Sequence, residues 1–140
     1  EYQNKLSDAK LPSLIHKSSV IGIATKISDG TVIMPQTNIG PNSSIGNFCI
    51  VNSGSSIDHD CKLGDFSSIA PGVFTGGNVT IGVRSAISIG TIVKQGISIG
   101  EDVVIGAKSY VDKDLDDCII AYGIPCVKIR SRNRGESYLT

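Results

Sequence analysis

Residues 39–69 read IGPNSSIGNFCIVNSGSSIDHDCKLGDFSSI, and an aliphatic residue recurs at every sixth position of this stretch. The same phase extends in both directions, from residue 15 to residue 111, and sixteen of its seventeen positions are Ile, Leu or Val. The exception is Thr75. A period of six matches neither the 3.6 residues of a helix turn nor the two-residue alternation of a strand. The repeating unit is therefore one short strand followed by a turn.

The residues around each aliphatic position repeat as well. Gly follows the aliphatic residue in eight of the seventeen units, which favours a bend there, and the residue two positions before it is always small or β-branched. Cys49 and Cys61 occupy this second position, so we interpret them as inward packing residues without a disulfide between them. A single unit cannot bury its aliphatic side chain, but stacked coils of such units can.

Composition excludes several classes of protein. The chain has 13 Lys and Arg against 13 Asp and Glu, which argues against a general nucleic-acid binder. Residues 30–57 carry no charge, yet Gly, Pro, Asn, Ser and Thr are scattered through them, so they do not form a transmembrane helix. The polar N-terminus shows no secretory signal, and the four cysteines fit no metal-binding spacing. We expect free thiols in a cytoplasmic protein.

The six-residue repeat resembles that of the hexapeptide-repeat superfamily. The resemblance implies an all-β fold, a left-handed parallel β-helix of about five to six coils with three hexads, or eighteen residues, in each coil. We assign the β-helix to residues 11–112 and a C-terminal cap with a basic tail to residues 113–140. Residues 1–10 are expected to form a short helix, the remnant of a preceding nucleotide-sugar-binding domain.

One histidine stands out once the coils are counted. His59 lies between Asp58 and Asp60, and a carboxylate beside an imidazole raises its basicity and fixes its tautomer. The residue eighteen positions later is Gly77, which has no side chain to fill the space beside the imidazole. Thr75, the one break in the aliphatic series, falls in the same stretch. Local departures from a regular pattern are expected at functional sites.

The segment IVNSGSSIDHDCKLGDFSSIAPGVFTGGNVTIG, residues 50–82, is similar to the nucleotide-sugar acetyltransferases that N-acetylate a 4-amino sugar. It also resembles the sialic-acid O-acetyltransferases. This resemblance implies that His59 is the general base, that Asp60 increases its basicity, and that Asn52 lies near the acceptor. It implies direct transfer of an acetyl group to the amine of a nucleotide-linked 4-amino-4,6-dideoxy sugar.

The same resemblance implies acetyl-CoA as co-substrate. The amide of Gly77 would contact the thioester carbonyl, and Ile89 and Ala107 would contact the cofactor. Ser68 stands where the family often has a second His that contacts the acetyl group. Lys128 would hold a CoA phosphate, and three Arg at alternate positions after it would share one face of an extended strand: Arg130, Arg132 and Arg134.

The same resemblance implies a quaternary structure, and two alternative functions stay open beside N-acetylation. The resemblance implies a homotrimer whose active sites lie between subunits. The first alternative is O-acetylation of a sugar or sialic acid hydroxyl, and the second is a structural β-helix without catalysis. A γ-type carbonic anhydrase needs three His around zinc, whereas this chain has only His16 and His59, so we expect no metal.

Overall fold

The computed structural model describes residues 11–137, which form an all-β parallel solenoid of about six turns, without a helix in this range. The helix expected over residues 1–10 lies outside the described residues. The left-handed winding stays a prediction from the family resemblance. Within the described residues, seventeen two-residue strands form the solenoid, one for each hexad. Each strand ends at the inward residue of its hexad, which is aliphatic except at Thr75, and a turn follows.

The strands stack into three sheets, one on each side of the solenoid. The first sheet contains β1 (Leu14–Ile15), β4 (Val32–Ile33), β7 (Ile50–Val51), β10 (Ser68–Ile69), β13 (Ala86–Ile87), β16 (Val104–Ile105), β18 (Ile119–Tyr122) and β19 (Val127–Ser131). The second contains β2 (Val20–Ile21), β5 (Asn38–Ile39), β8 (Ser56–Ile57), β11 (Phe74–Thr75), β14 (Ile92–Val93) and β17 (Tyr110–Val111). The third contains β3 (Lys26–Ile27), β6 (Ser44–Ile45), β9 (Lys62–Leu63), β12 (Thr80–Ile81) and β15 (Ser98–Ile99).

The register confirms a coil of eighteen residues. Ile15 pairs with Ile33, and Ile69 pairs with Ile87, so from β1 to β17 each strand lies beside the strand eighteen positions later. The last coil is shorter, because Ile105 pairs with Ala121, sixteen positions later. The turns between strands form three corners that run along the solenoid. We call the corner between the first and second sheets the first corner, and the corner between the second and third sheets the second corner.

The inward residues form one continuous core, which begins at the second coil of the described residues. Aliphatic side chains of the series are buried from Ile33 onward, whereas Ile15 is 46% exposed and Ile21 and Ile27 are half-buried. Stacked coils are expected to bury the aliphatic residue of each hexad, and this expectation is wrong for Ile15, because no preceding coil covers it within the described residues. Cys49 and Cys61 are buried as predicted.

The C-terminal segment continues the stack before it turns back. Leu115 bridges to Ile99 in the third sheet, and β18 pairs in parallel with β16 in the first. β19 then runs antiparallel along β18. An antiparallel strand at this place covers the edge that β18 would otherwise expose. The assignment of residues 113–140 as a cap stays a prediction.

Candidate functional site

His59 lies in the turn between β8 and β9, at the second corner. Its Nδ1 is 2.7 Å from Oδ2 of Asp60, and both side chains are about half exposed. The hydrogen bond that His59 donates to Asp60 raises the pKa of His59 above its ordinary value. Partial desolvation lowers this pKa by less, and the charges of Asp58 and Asp60 add to the rise. Because a carboxylate accepts the Nδ1 proton, Nε2 carries the free lone pair of the neutral ring.

Gly77 lies against the imidazole of His59, one coil further along the solenoid. A Cβ atom built on Gly77 would be 2.5 Å from Cε1 and 3.0 Å from Cδ2 of His59, and closer still to Nε2. The predicted juxtaposition is confirmed, with one refinement: the imidazole itself occupies the space that the missing side chain leaves. The amide of Asn78 donates to the carbonyl of His59 at 2.8 Å, which ties the two turns together.

The main-chain hydrogen bonds between successive coils of the second sheet are interrupted at this turn. In neighbouring coils the amide after an inward residue donates to the carbonyl of the inward residue one coil on, as from Gly40 to Ile57 at 2.7 Å. The amide of Asp58 instead donates to the side-chain Oγ1 of Thr75 at 3.1 Å. Asp58 in turn accepts the amide of His59 on its Oδ1 at 2.7 Å. The turn that carries His59 is thus held by side chains as well as by the main chain.

The other predicted binding residues gather at the first corner. Asn52, Ser68 and Ile89 line one groove of about 420 Å³ on the first sheet, whose walls are mainly apolar. Ala107 follows Ile89 by one coil in the same column. Sequence reasoning did not single out Ile50, Ala86 and Ser88, which also line this groove. The six-residue repeat could have predicted these three residues, because each occupies an outward or turn position in the same coils as Asn52 and Ile89.

The predicted residues therefore form two groups in one chain. His59, Asp60 and Gly77 lie at the second corner, whereas Asn52, Ile89 and Ala107 lie at the first. The strands of the second sheet separate the two corners. A single subunit does not bring its own His59 into the groove lined by its own Asn52.

The basic tail differs from the prediction. Lys128 is an exposed residue of β19, which lies at the end of the first sheet. Arg132 is buried and donates to the carbonyls of Asp102 and Glu136, so it does not share an open face with the other cations. Arg130 pairs with Glu136 at 2.5 Å, and Arg134 pairs with Glu101 at 3.8 Å. The expectation that the three Arg share one face is wrong for Arg132, because its guanidinium binds main-chain carbonyls of the solenoid and of the tail. The assignment of Lys128 to a CoA phosphate stays a prediction.

The acidic and cysteine side chains near His59 were candidates for other chemistry. Within residues 11–137 no three His, Cys, Asp or Glu side chains are grouped closely enough to share a metal ion. Cys61, two residues after His59, is buried, and burial raises the pKa of its thiol. A thiol with a raised pKa carries little thiolate near neutral pH. None of the described residues forms a helix long and apolar enough to cross a membrane.

Several known proteins resemble this chain in sequence and in fold. No family model matches the chain. GDP-perosamine N-acetyltransferase of Escherichia coli O157:H7 is 37% identical over 92 residues, which are 66% of this chain and 41% of that protein. The crystal structure of PerB from Caulobacter crescentus with CoA and GDP-perosamine superposes with a TM-score of 0.88 at 32% identity, over 92% of this chain and 63% of that one.

The chain, a solenoid of six-residue repeats, is similar to nucleotide-sugar acetyltransferases. The acetyltransferase domain of PglB from Neisseria gonorrhoeae, solved with acetyl coenzyme A, also matches it with a TM-score of 0.88. Its identity is 31%, over 91% of this chain and 63% of that one. The chain spans less than two thirds of the length of each of these relatives.

Proposed function

We propose that the protein transfers the acetyl group of acetyl-CoA to the amine of a nucleotide-linked 4-amino-4,6-dideoxy sugar. The observation that carries this proposal is the half-exposed imidazole of His59, hydrogen-bonded through Nδ1 to Asp60 and lying with Nε2 against the bare backbone of Gly77. This geometry suits a general base beside a main-chain amide. The named relatives act on, or were crystallised with, GDP-perosamine and CoA or acetyl-CoA, which supports both substrate classes.

In the proposed reaction Nε2 of His59 takes a proton as the amine attacks the thioester carbonyl. The new C–N bond forms, and the N–H of Gly77 stabilises the negative charge that develops on the carbonyl oxygen. When the C–S bond breaks, the imidazolium of His59 returns the proton to the departing thiolate. Asp60 keeps Nδ1 protonated throughout, so that the ring accepts protons only at Nε2.

The groove at the first corner suits the co-substrate. Its walls are apolar at Ile89 and small at Ala86, which leaves room for a narrow chain such as the pantetheine arm. We assign Ser68, Ile89, Ala107 and Lys128 to contacts with CoA, and Asn52 to the acceptor sugar. Ser68 offers a hydroxyl at the place that a second His takes in many relatives.

The two corners meet if the protein is a homotrimer. The outward residues of the first sheet are largely apolar, among them Leu14, Ile50 and Val104, whereas those of the third sheet are polar: Lys26, Ser44, Lys62, Thr80 and Ser98. An apolar face beside a polar one favours burial of the first sheet against a neighbour. Each site would then combine His59 of one subunit with Asn52 of the next. We also propose a cytoplasmic location, in keeping with the four unpaired cysteines.

The decisive experiment replaces His59 and measures thiol release from acetyl-CoA with a panel of UDP- and GDP-linked amino sugars and their hydroxyl analogues. We expect His59→Asn to stay folded and to lose roughly 10²- to 10⁴-fold in kcat. His16→Asn, which changes the other histidine at the first coil, should behave like wild type. Wild-type turnover by His59→Asn would contradict the assignment, and preference for a hydroxyl acceptor would replace N-acetylation by O-acetylation.

Subunit mixing tests the shared site. His59→Asn and Asn52→Ala chains, each inactive alone, are unfolded together in equal amounts and refolded. If each site takes one residue from each neighbour, about a quarter of the sites regain both wild-type residues in a randomly mixed ring. No recovered activity, with trimers verified by ultracentrifugation, would show that the residues act within one chain.

A further inference from the structure

Thr75 is the one residue of the inward series that is not aliphatic, and its side chain is nevertheless buried, with 7% exposure. A hydroxyl in an apolar core costs free energy unless it is hydrogen-bonded. The repeat itself gives no reason for it, because the inward residue one coil before Thr75 is Ile57 and the one after it is Val93. This hydroxyl lies one coil further along the solenoid than Ile57, next to the turn that carries His59. A local interaction must therefore account for it.

The contacts of Thr75 give that explanation. Its Oγ1 accepts the amide of Asp58 at 3.1 Å, in the place where the regular ladder uses a main-chain carbonyl. The change is visible in the strand pairing: β8 and β11 keep the pair Ser56–Phe74, while the pair that would join Ile57 to Thr75 is missing from the register that the structure describes. The side chain of Thr75 has therefore replaced one main-chain bond of the second sheet.

This replacement acts on the residue next to His59. The amide of Asp58 is fixed by Thr75, and the carboxylate of Asp58 is fixed by the amide of His59 at 2.7 Å. The imidazole then reaches Gly77, which follows Thr75 by two residues. Thr75 thus connects the turn that carries the proposed base with the strand that leads to the proposed amide donor.

We propose that Thr75 is a positioning residue, whose hydroxyl sets the turn of residues 58–60 so that Nε2 of His59 stays over Gly77. The inference rests on the function proposed above, and it adds a residue that does not touch either substrate. A valine at position 75 has nearly the same shape and fits the apolar core, but it offers no acceptor to Asp58. The turn would then shift toward the ladder geometry of the other coils.

The experiment compares Thr75→Val with Thr75→Ser, which retains the hydroxyl. Thr31→Val is the matched control. The buried Oγ1 of Thr31 also accepts a backbone amide, from Cys49 at 3.0 Å, but it lies at the corner between the third and first sheets, away from His59. We expect Thr75→Val to lower kcat roughly 10- to 100-fold with KM for acetyl-CoA changed less than about threefold. Thr75→Ser and Thr31→Val should remain within about threefold of wild type in kcat.

An activity-independent readout accompanies the kinetics. In the wild-type trimer, NMR should show a nuclear Overhauser contact between His59 Hε1 and the Gly77 Hα protons; Thr75→Ser should keep it, and Thr75→Val should weaken it. If Thr75→Val does not fold, Thr75→Ala replaces it and is compared with Thr75→Ser, since these two differ only by the hydroxyl.

Three outcomes would overturn the inference. The first is wild-type kcat in Thr75→Val, and the second is an equal loss of kcat in Thr31→Val. The third is an unchanged Overhauser contact in an inactive Thr75→Val protein. If the wild-type protein transfers no acetyl group to any acceptor, the proposed function fails, and the inference fails with it; an active wild type with an unaffected Thr75→Val removes the inference alone.

Discussion

A methyl group on Gly77 should disable the site while leaving the fold intact. The backbone angle of Gly77 lies outside the left-handed region, so alanine can adopt it. The new Cβ would lie 2.5 Å from Cε1 of His59, and ordinary van der Waals contact begins at 3.4 Å, so the ring has to retreat by about 0.9 Å. Because His59 is half exposed, the ring can swing outward without disturbing the core.

A displacement of this size is large for catalysis. An error of about 1 Å in the position of a reacting group costs roughly 100-fold in rate. We therefore expect Gly77→Ala to lose about 100-fold in kcat, with a free energy of unfolding within about 1 kcal/mol of wild type, since replacing Gly by Ala at a compatible angle reduces the entropy of the unfolded chain. Thiol release and denaturant unfolding measure the two quantities.

The neighbouring glycine supplies the control. A Cβ on Gly76 would lie 2.7 Å from the backbone nitrogen of Gln95, which cannot swing away. Gly76→Ala should therefore destabilise the protein by about 1–3 kcal/mol, the usual cost of overpacking. If Gly77→Ala kept its activity within threefold of wild type, or lost stability as Gly76→Ala does, the argument from the contact with His59 would be refuted.

Two further predictions concern charged groups. Asp60→Asn suits the left-handed backbone of residue 60 and removes the main cause of the raised pKa of His59, so the acidic limb of the kcat/KM profile should move to lower pH; an unmoved limb would show that another group titrates. A raised pKa of His59 stabilises the fold below pH 6.5, and this contribution is lost as pH rises through the folded pKa. The loss of stability in Asp60→Asn should therefore be larger in acid than at alkaline pH. Arg84→Ala should lower Tm by about 5 °C at pH 7, because Arg84 binds the buried carboxylate of Asp102 at 2.7 Å and holds its pKa below the ordinary value. The difference in Tm between Arg84→Ala and wild type should shrink as pH falls below 3.8 toward the lowered pKa of Asp102, because the carboxylate then takes up a proton. Calorimetry at pH 7 and pH 3 measures this difference, and an equal difference at both pH values would contradict the prediction.

The sequence predicted the fold and the contact between His59 and Gly77 because both depend on the regular spacing of the repeat. Each coil pairs main chain to main chain with the next, so a regular spacing of six inward residues fixes which residues become neighbours. The pair Ile69–Ile87 and the contact of the imidazole with Gly77 both follow from the same step of eighteen. The residue roles remain predictions that the experiments above test.

Other features depended on packing that no spacing expresses. The exposure of Ile15 follows from its place in the first coil of the described residues, although its hexad has the same pattern as the others. The alternation of Lys128 and the three arginines suggested one open face, yet the buried carbonyl of Asp102 draws Arg132 inward. Thr75 was visible in the sequence as an exception, but its bond to Asp58 was not.

The amino-acid sequence by itself determined the coil, its register and the residues that meet across one step of the stack, because a repeated backbone hydrogen-bond ladder is a local rule applied many times. The tertiary structure alone decided that the residues predicted for one site lie at two corners of the solenoid. That separation depends on how far around the coil each turn lies and on which way its side chains point, and the pattern of inward residues is the same at every corner.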